Sequence, residues 1–280
     1  MKFGVREICD VVLKTKADNQ KIGNTTFATA GMPVLYFDTL KTSSMEGAAT
    51  TVYAQGGRGN SRLVAWEGER TVTFTMEDAL ISPMGFAILS GAGLVEAKTK
   101  TITVHATEMV SCETAGKLPV GREPSSATGA QIFAIELDGN GEIIGSSPLS
   151  GGTFTANSDN TPGGTLTVEG AKAQTNYLLD YYFDKTSDAQ QIDIEAGKFG
   201  GNYYLEASTL FRNTNGVDMP AEFIIPNCKI QSNFTFTMAS SGDPSSFTFT
   251  IDAFPDYTKF DKKKKVLAAI QIIEEAETED

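Results

Sequence analysis

Thr71-Val72-Thr73-Phe74-Thr75-Met76-Glu77 alternates without a break between hydroxyl or acidic and apolar side chains. Successive side chains of an extended chain point to opposite sides, so this period of two predicts a strand that buries one face. The pattern returns in Asn233-Phe234-Thr235-Phe236-Thr237-Met238 and in Ser246-Phe247-Thr248-Phe249-Thr250-Ile251-Asp252. Between these two lies Ala239-Ser240-Ser241-Gly242-Asp243-Pro244-Ser245, whose turn-forming residues predict that the pair makes a hairpin. More strands are predicted at Leu35-Tyr36-Phe37, Thr101-Ile102-Thr103-Val104, Gln131-Ile132-Phe133-Ala134-Ile135-Glu136-Leu137 and Gly164-Thr165-Leu166-Thr167-Val168. The fold class is therefore mainly β.

Helices are few. Residues 7–14 place Ile8, Val11 and Val12 on one side of a short helix. Ser82-Pro83 is an N-cap and first-turn pair, and the apolar run from Met84 to Leu89 stops before Gly91, which predicts one short buried helix over 82–90. Val266-Leu267-Ala268-Ala269-Ile270-Gln271-Ile272-Ile273 suits either element and is read as strand. Turn-rich segments at 121–129, 146–152 and 157–164 separate short strands between two shifts in composition. Residues 98–173 are read on that basis as a small β-sandwich inserted into a body made from 1–97 and 174–280. Residues 41–62, rich in Gly, Ala, Thr and Ser, exceed the usual loop length and are read as a long arm reaching a neighbouring subunit.

The 280 residues carry a net charge of −12, which disfavours tight wrapping of nucleic acid. The run Lys262 to Lys265 reads as a solvated face, and the acidic end from Glu274 to Asp280 as a solvated tail. No apolar run approaches membrane-spanning length, and the first residues lack the apolar core of a signal peptide, so the chain is expected to work without a membrane. The three cysteines, Cys9, Cys112 and Cys228, are odd in number and far apart, and each is read as a buried thiol.

The search for chemistry finds little. The chain has one histidine, His105, inside a predicted strand, and no G-x-S-x-G nucleophile pattern, so histidine-assisted nucleophilic catalysis is not expected. Paired Cys or His spacing for zinc is absent. Asp138-Gly139-Asn140-Gly141-Glu142 opens like a calcium loop, but Ile143 and Leu149 stand where that loop needs Gly and Glu, so a hairpin turn is the better reading. Gly56-Gly57-Arg58-Gly59 completes no nucleotide-binding fingerprint. No cofactor, metal or catalytic set emerges.

Several stretches together resemble the tail-tube proteins of long-tailed bacteriophages. They are Arg70-Thr71-Val72-Thr73-Phe74-Thr75-Met76-Glu77-Asp78, then Ser82-Pro83-Met84-Gly85-Phe86, and much later Gly201-Asn202-Tyr203-Tyr204-Leu205-Glu206-Ala207-Ser208-Thr209-Leu210-Phe211-Arg212. Phe223-Ile224-Ile225-Pro226-Asn227-Cys228-Lys229-Ile230 and the predicted hairpin beyond it complete the set. The resemblance implies a tail-tube-type β-sandwich or barrel body with one short helix. It also implies rings of identical subunits, usually sixfold, that stack head to tail into a hollow tube for genome passage. Expected partners are the chain itself, tape-measure, tail-terminator and baseplate proteins, sheath proteins where a tail has them, and DNA in transit. The expected location is the virion tail, assembled in host cytoplasm. On this reading Lys41, Met45, Tyr53, Arg58, Arg62 and Trp66 make assembly contacts, and Thr71, Thr73, Thr75, Thr235 and Thr237 line the bore. Two other readings stay open: a non-polymerising virion protein that binds a receptor or carbohydrate through the inserted sandwich, and a hydrolase working through a pair of carboxylates.

Overall fold

The computed structural model describes residues 2–23, 25–127, 131–145, 147–159, 161–238, 240–241 and 246–274. In it Phe74 and Met76 are buried, while Thr73 and Thr75 lie on the opposite, half-exposed face of their strand, as alternation requires. That strand belongs to a nine-stranded antiparallel sheet. In chain order the strands are β1 (Phe3–Val5), β2 (Asp10–Thr15), β3 (Pro33–Phe37), β4 (Leu40–Gly56), β5 (Ser61–Asp78), β6 (Asn202–Asn213), β7 (Asp218–Ile230), β8 (Phe247–Ala253) and β9 (Ala269–Ile272). Their order across the sheet is β3-β2-β6-β7-β8-β5-β4, with β1 also beside β6 and β9 also beside β7.

One face of the sheet curls over a core that includes Val11, Leu13, Phe74, Met76, Leu205, Ile225, Phe249 and Ile251. Phe37 of β3 meets Phe249 of β8 edge-on at 5.0 Å, although the two strands are far apart in sheet order. Curling stops there: among the described residues β3 and β4 share no ladder, the sheet does not close into a barrel, and it keeps two free borders.

Helix α1 (Pro83–Ser90) plugs this core with Phe86, Ile88 and Leu89. Its start is set by Ser82, whose Oγ accepts a hydrogen bond from Gly85 N at 2.9 Å. Its end is set by Gly91, at φ 69°. A side chain there would lie 2.4 Å from backbone atoms of Phe199 and Gly200. The helix predicted over 82–90 is therefore present, with Ser82 as its cap.

Three expectations are corrected. Residues 7–14 form no helix: Val11, Leu13 and Thr15 are buried in alternation with Val12 and Lys14, because β2 is held between β3 and β6. The predicted hairpin of 233–238 with 246–252 does not form. Residues 233–238 make no ladder; Phe234 and Phe236 instead pack on Phe86, with ring centroids 4.8 and 5.0 Å away. β8 pairs with β5 and β7 instead, setting Phe249 opposite Met76 and Ile251 opposite Ile230. The third correction is that residues 41–62 are not a loop: they fall mostly within β4 and the start of β5.

The chain divides into two compact units, Met1–Leu94 with Ile192–Asp280, and Val95–Gln191. The second takes in more sequence than 98–173, since strand Thr175–Lys185 pairs along its whole length with Ile102–Cys112. It holds a four-stranded and a three-stranded sheet around a core of Leu118, Leu166, Leu179, Tyr177 and Tyr181. In this unit Asp138 turns the chain, its Oδ1 accepting from Asn140 N and Glu142 N at 2.8 Å each. These backbone donors hold the Asp138 carboxyl below the usual carboxylate range. His105 is a solvent-exposed strand residue, 3.0 Å from Asp180 Oδ2. The segment read as strand over 266–273 contains β9, while residues 275–280 of the acidic end lie outside the described residues.

Candidate assembly interface

β4 and β5 pair from Leu40–Asp78 at the base to Gly56–Ser61 at the tip. Near the base their inner face belongs to the core. Met45 lies opposite Phe74 and packs against the core, so this residue is a root of the hairpin and not an outward contact. From Gly47 to Thr71 no residue is buried, and the two strands continue as a free ribbon for about 30 Å at ~3.3 Å per residue. The tip, Gly57 to Asn60, is closed by Asn60 N donating to Gly57 O at 3.1 Å. Gly57 and Gly59 take φ of 80° and 87° there, a region open to glycine.

Register assigns the faces of the ribbon. Val52 lies opposite Trp66 and Ala54 opposite Val64, so these four side chains share one apolar face. Val52 is 62% and Trp66 56% exposed. Tyr53, opposite Ala65, lies on the other face beneath the Arg62 guanidinium, 4.1 Å from its ring centre. Leu63 is the extra residue of a bulge and is 66% exposed. Lys41 sits exposed at the bulge near the base, and Arg58 exposed at the tip. Of the six residues named from sequence, Tyr53, Arg58, Arg62 and Trp66 thus fall on the free ribbon. Val52, Leu63 and Val64 join them there as exposed apolar residues, a pattern that appears only once the cross-strand register is known.

The sheet face turned away from the core is polar around β4, β5 and β8. Ser44 lies opposite Thr75, Glu46 opposite Thr73, Ala48 opposite Thr71, Thr250 opposite Thr75 and Asp252 opposite Thr73. Thr71, Thr73 and Thr75 are therefore brought together with two carboxylates in one hydroxyl-rich band. Thr235 and Thr237 do not join it, since their segment is no strand of the sheet. Gln231 Nε2 donates to both oxygens of Asp252, at 3.1 and 3.0 Å.

At the far end of β6 and β7 the same sheet face carries a groove of about 570 Å³ lined by Ile8, Leu210, Pro220 and Ile273, with Glu7, Asp10 and Glu222 among its other residues. Burial raises the Glu222 carboxyl above its ordinary range, and nearby Glu206 adds to this while Lys14 offsets part of it. Lys14 is already committed to Glu206 in an ion pair.

No cluster of His, Cys, Asp and Glu able to hold a metal ion occurs among the described residues. No helix among them is long and apolar enough to cross a membrane. The three cysteines are buried and unpaired with one another.

A mainly β chain whose large sheet keeps two free borders among the described residues, with a long ribbon exposed on both faces, belongs to the class of β proteins that present open strand edges. The chain belongs to the YomU/Tube protein family, whose model matches residues 4–269. It is thus a member of a phage tail-tube family, a component of the virion tail. No curated protein matches the sequence.

Proposed function

We propose that this chain is the repeating subunit of a hollow tail tube, in which copies complete one another's sheet borders in a ring and rings stack into a conduit for the genome. The observation that carries the reading is the ribbon. A two-stranded hairpin is marginal in water by itself, and this one exposes Val52, Leu63, Val64 and Trp66 with no cover among the described residues. Free edges are templates for further strands, so the open sides of β3 and β4 are natural joints between copies. A contact that repeats head to tail without closing produces a filament, which is what stacked rings require.

The hydroxyl band with Glu46 and Asp252 suits a wall that phosphates pass without sticking, because acids repel them within roughly 8–10 Å at physiological salt. Tape-measure, terminator, baseplate and sheath proteins are the partners such a tube calls for, and no catalytic role is assigned to the subunit.

Electron microscopy of purified protein tests the reading, with rings or long hollow tubes expected. A variant in which residues 50–69 are replaced by Asn-Gly keeps the Ala49–Arg70 pair and closes the shortened hairpin with a favourable turn. It should stay folded by circular dichroism and fail to elongate. Normal tubes from that variant would remove the ribbon from the mechanism.

A further inference from the structure

Resting on the self-assembly reading above, we infer that the groove over β6 and β7 is the receptor for the ribbon of a second copy, with Trp66 as the anchor. The groove offers Ile8, Leu210, Pro220 and Ile273 to solvent, and Leu210 is 43% exposed although its strand is an inner one of the sheet. The ribbon offers the matching apolar face of Val52, Ala54, Val64 and Trp66. Among the described residues neither surface has a cover in its own chain, and each is the kind of surface that covers the other.

Charge agrees with shape. The ribbon carries Arg58 at its tip, whereas the groove carries Glu7, Asp10 and Glu222. Glu222 is partly desolvated and its one near cation is shared with Glu206, so an incoming guanidinium would meet a carboxylate that is poorly compensated.

Height along the strands agrees as well. Asp252 of β8 lies opposite Thr73 and Ala253 opposite Cys228, so Val72 of β5 and Cys228 of β7 share one row of the sheet. Stepping equally far along both strands reaches Trp66 and Val64 on β5, and Glu222 and Pro220 on β7. Each strand has one bulge on the way, so the two insertions cancel. Groove and apolar ribbon face therefore lie at one level. A copy related by rotation about an axis along the strands brings its ribbon to this groove without any shift in height, which is the relation between neighbours in a ring.

The chain has a single tryptophan, so its fluorescence reports this contact directly. In wild type the emission of Trp66 should move to shorter wavelength as subunits associate on concentration. Leu210→Asp alters an exposed groove position. It should leave the subunit folded by circular dichroism, prevent association, and keep the emission at the long wavelength of an exposed indole. Trp66→Ala should also fail to associate, with its groove intact. Mixed together, the two variants have one sound half each. They should form a one-to-one pair in the ultracentrifuge, with the emission of the Leu210→Asp subunit now shifted. Mixing without pairing or shift overturns the proposal, as does assembly of Leu210→Asp with a normal shift; in the latter case self-assembly stands and only the groove is wrong. Wild-type protein that remains monomeric at every concentration, with unchanged emission, overturns self-assembly itself.

Discussion

Gly91→Ala tests how the body is held shut. Gly91 ends α1 at φ 69°, and a Cβ there would come within 2.4 Å of Gly200 N and of the Phe199 carbonyl carbon. Two costs combine. An L side chain in the left-handed region costs about 1–2 kcal/mol, and forcing extra volume into a packed site typically costs about 1–3 kcal/mol. The obstruction is backbone and not the end of a flexible side chain, so relief requires residues 199–200 to move away from the helix that plugs the core. We expect a loss of about 2–4 kcal/mol. Gly93→Ala is the matched control: it is two residues away, outside the positive-φ set, and its nearest neighbour would be the Glu195 carboxylate at 3.9 Å. Hydrogen exchange on the unassembled subunit should show lost protection in β2, β6 and β8 of the Gly91 variant, with the sheets of residues 95–191 unchanged. Equal stability of the two variants would refute the account of α1 as a plug fixed at Gly91.

Other consequences are as direct. Because the Glu222 carboxyl is raised in the folded subunit, its ionised form opposes folding: the relative stability it gives below its unfolded pKa is lost as pH rises through the folded value. Glu222→Gln should therefore stabilise the unassembled subunit near neutral pH and have little effect in acid, as urea titrations at the two pH values would show; a gain that persists in acid contradicts the assignment. Burial pushes the Cys228 thiol up to about 12. A thiol-specific chromogenic reagent at pH 8 should therefore leave Cys228 unmodified in native protein and modify it after denaturation, and rapid labelling of the native chain would disprove its burial.

What the sequence disclosed follows from where burial is one-sided. Thr71–Glu77 and the helix start at Ser82-Pro83 were legible because alternation and capping are local signals with one physical cause each. Residues 7–14 misled because Ile8, Val11 and Val12 fit helical spacing while Val11 and Leu13 fit strand spacing, and only the ladders to β3 and β6 decide between them. Residues 233–238 carry perfect alternation and still form no strand. Phe234 meets Phe86 edge-on and Phe236 meets it at a tilt, while β5 and β7 occupy both sides of β8. Alternation says that one face is buried; it does not say that a neighbouring strand exists to do it.

The ribbon is the converse case, and it bears on function. Within residues 41–62, the stretch read as an arm rich in small residues, positions 47–62 lack the period of a half-buried strand because none of them is buried. Yet Val52 with Trp66 and Ala54 with Val64 make an ordered apolar face the moment the two strands are set in register. A face that is organised across strands while no described residue covers it is the kind of exposed apolar surface that marks interaction sites. Had the ribbon been a solvated flap, polar residues at Val52, Val64 and Trp66 would have kept the hairpin soluble and cost it no packing. On the assembly proposed above a second molecule buries them, and the groove at Leu210 is the surface of this chain that the proposal assigns to that contact.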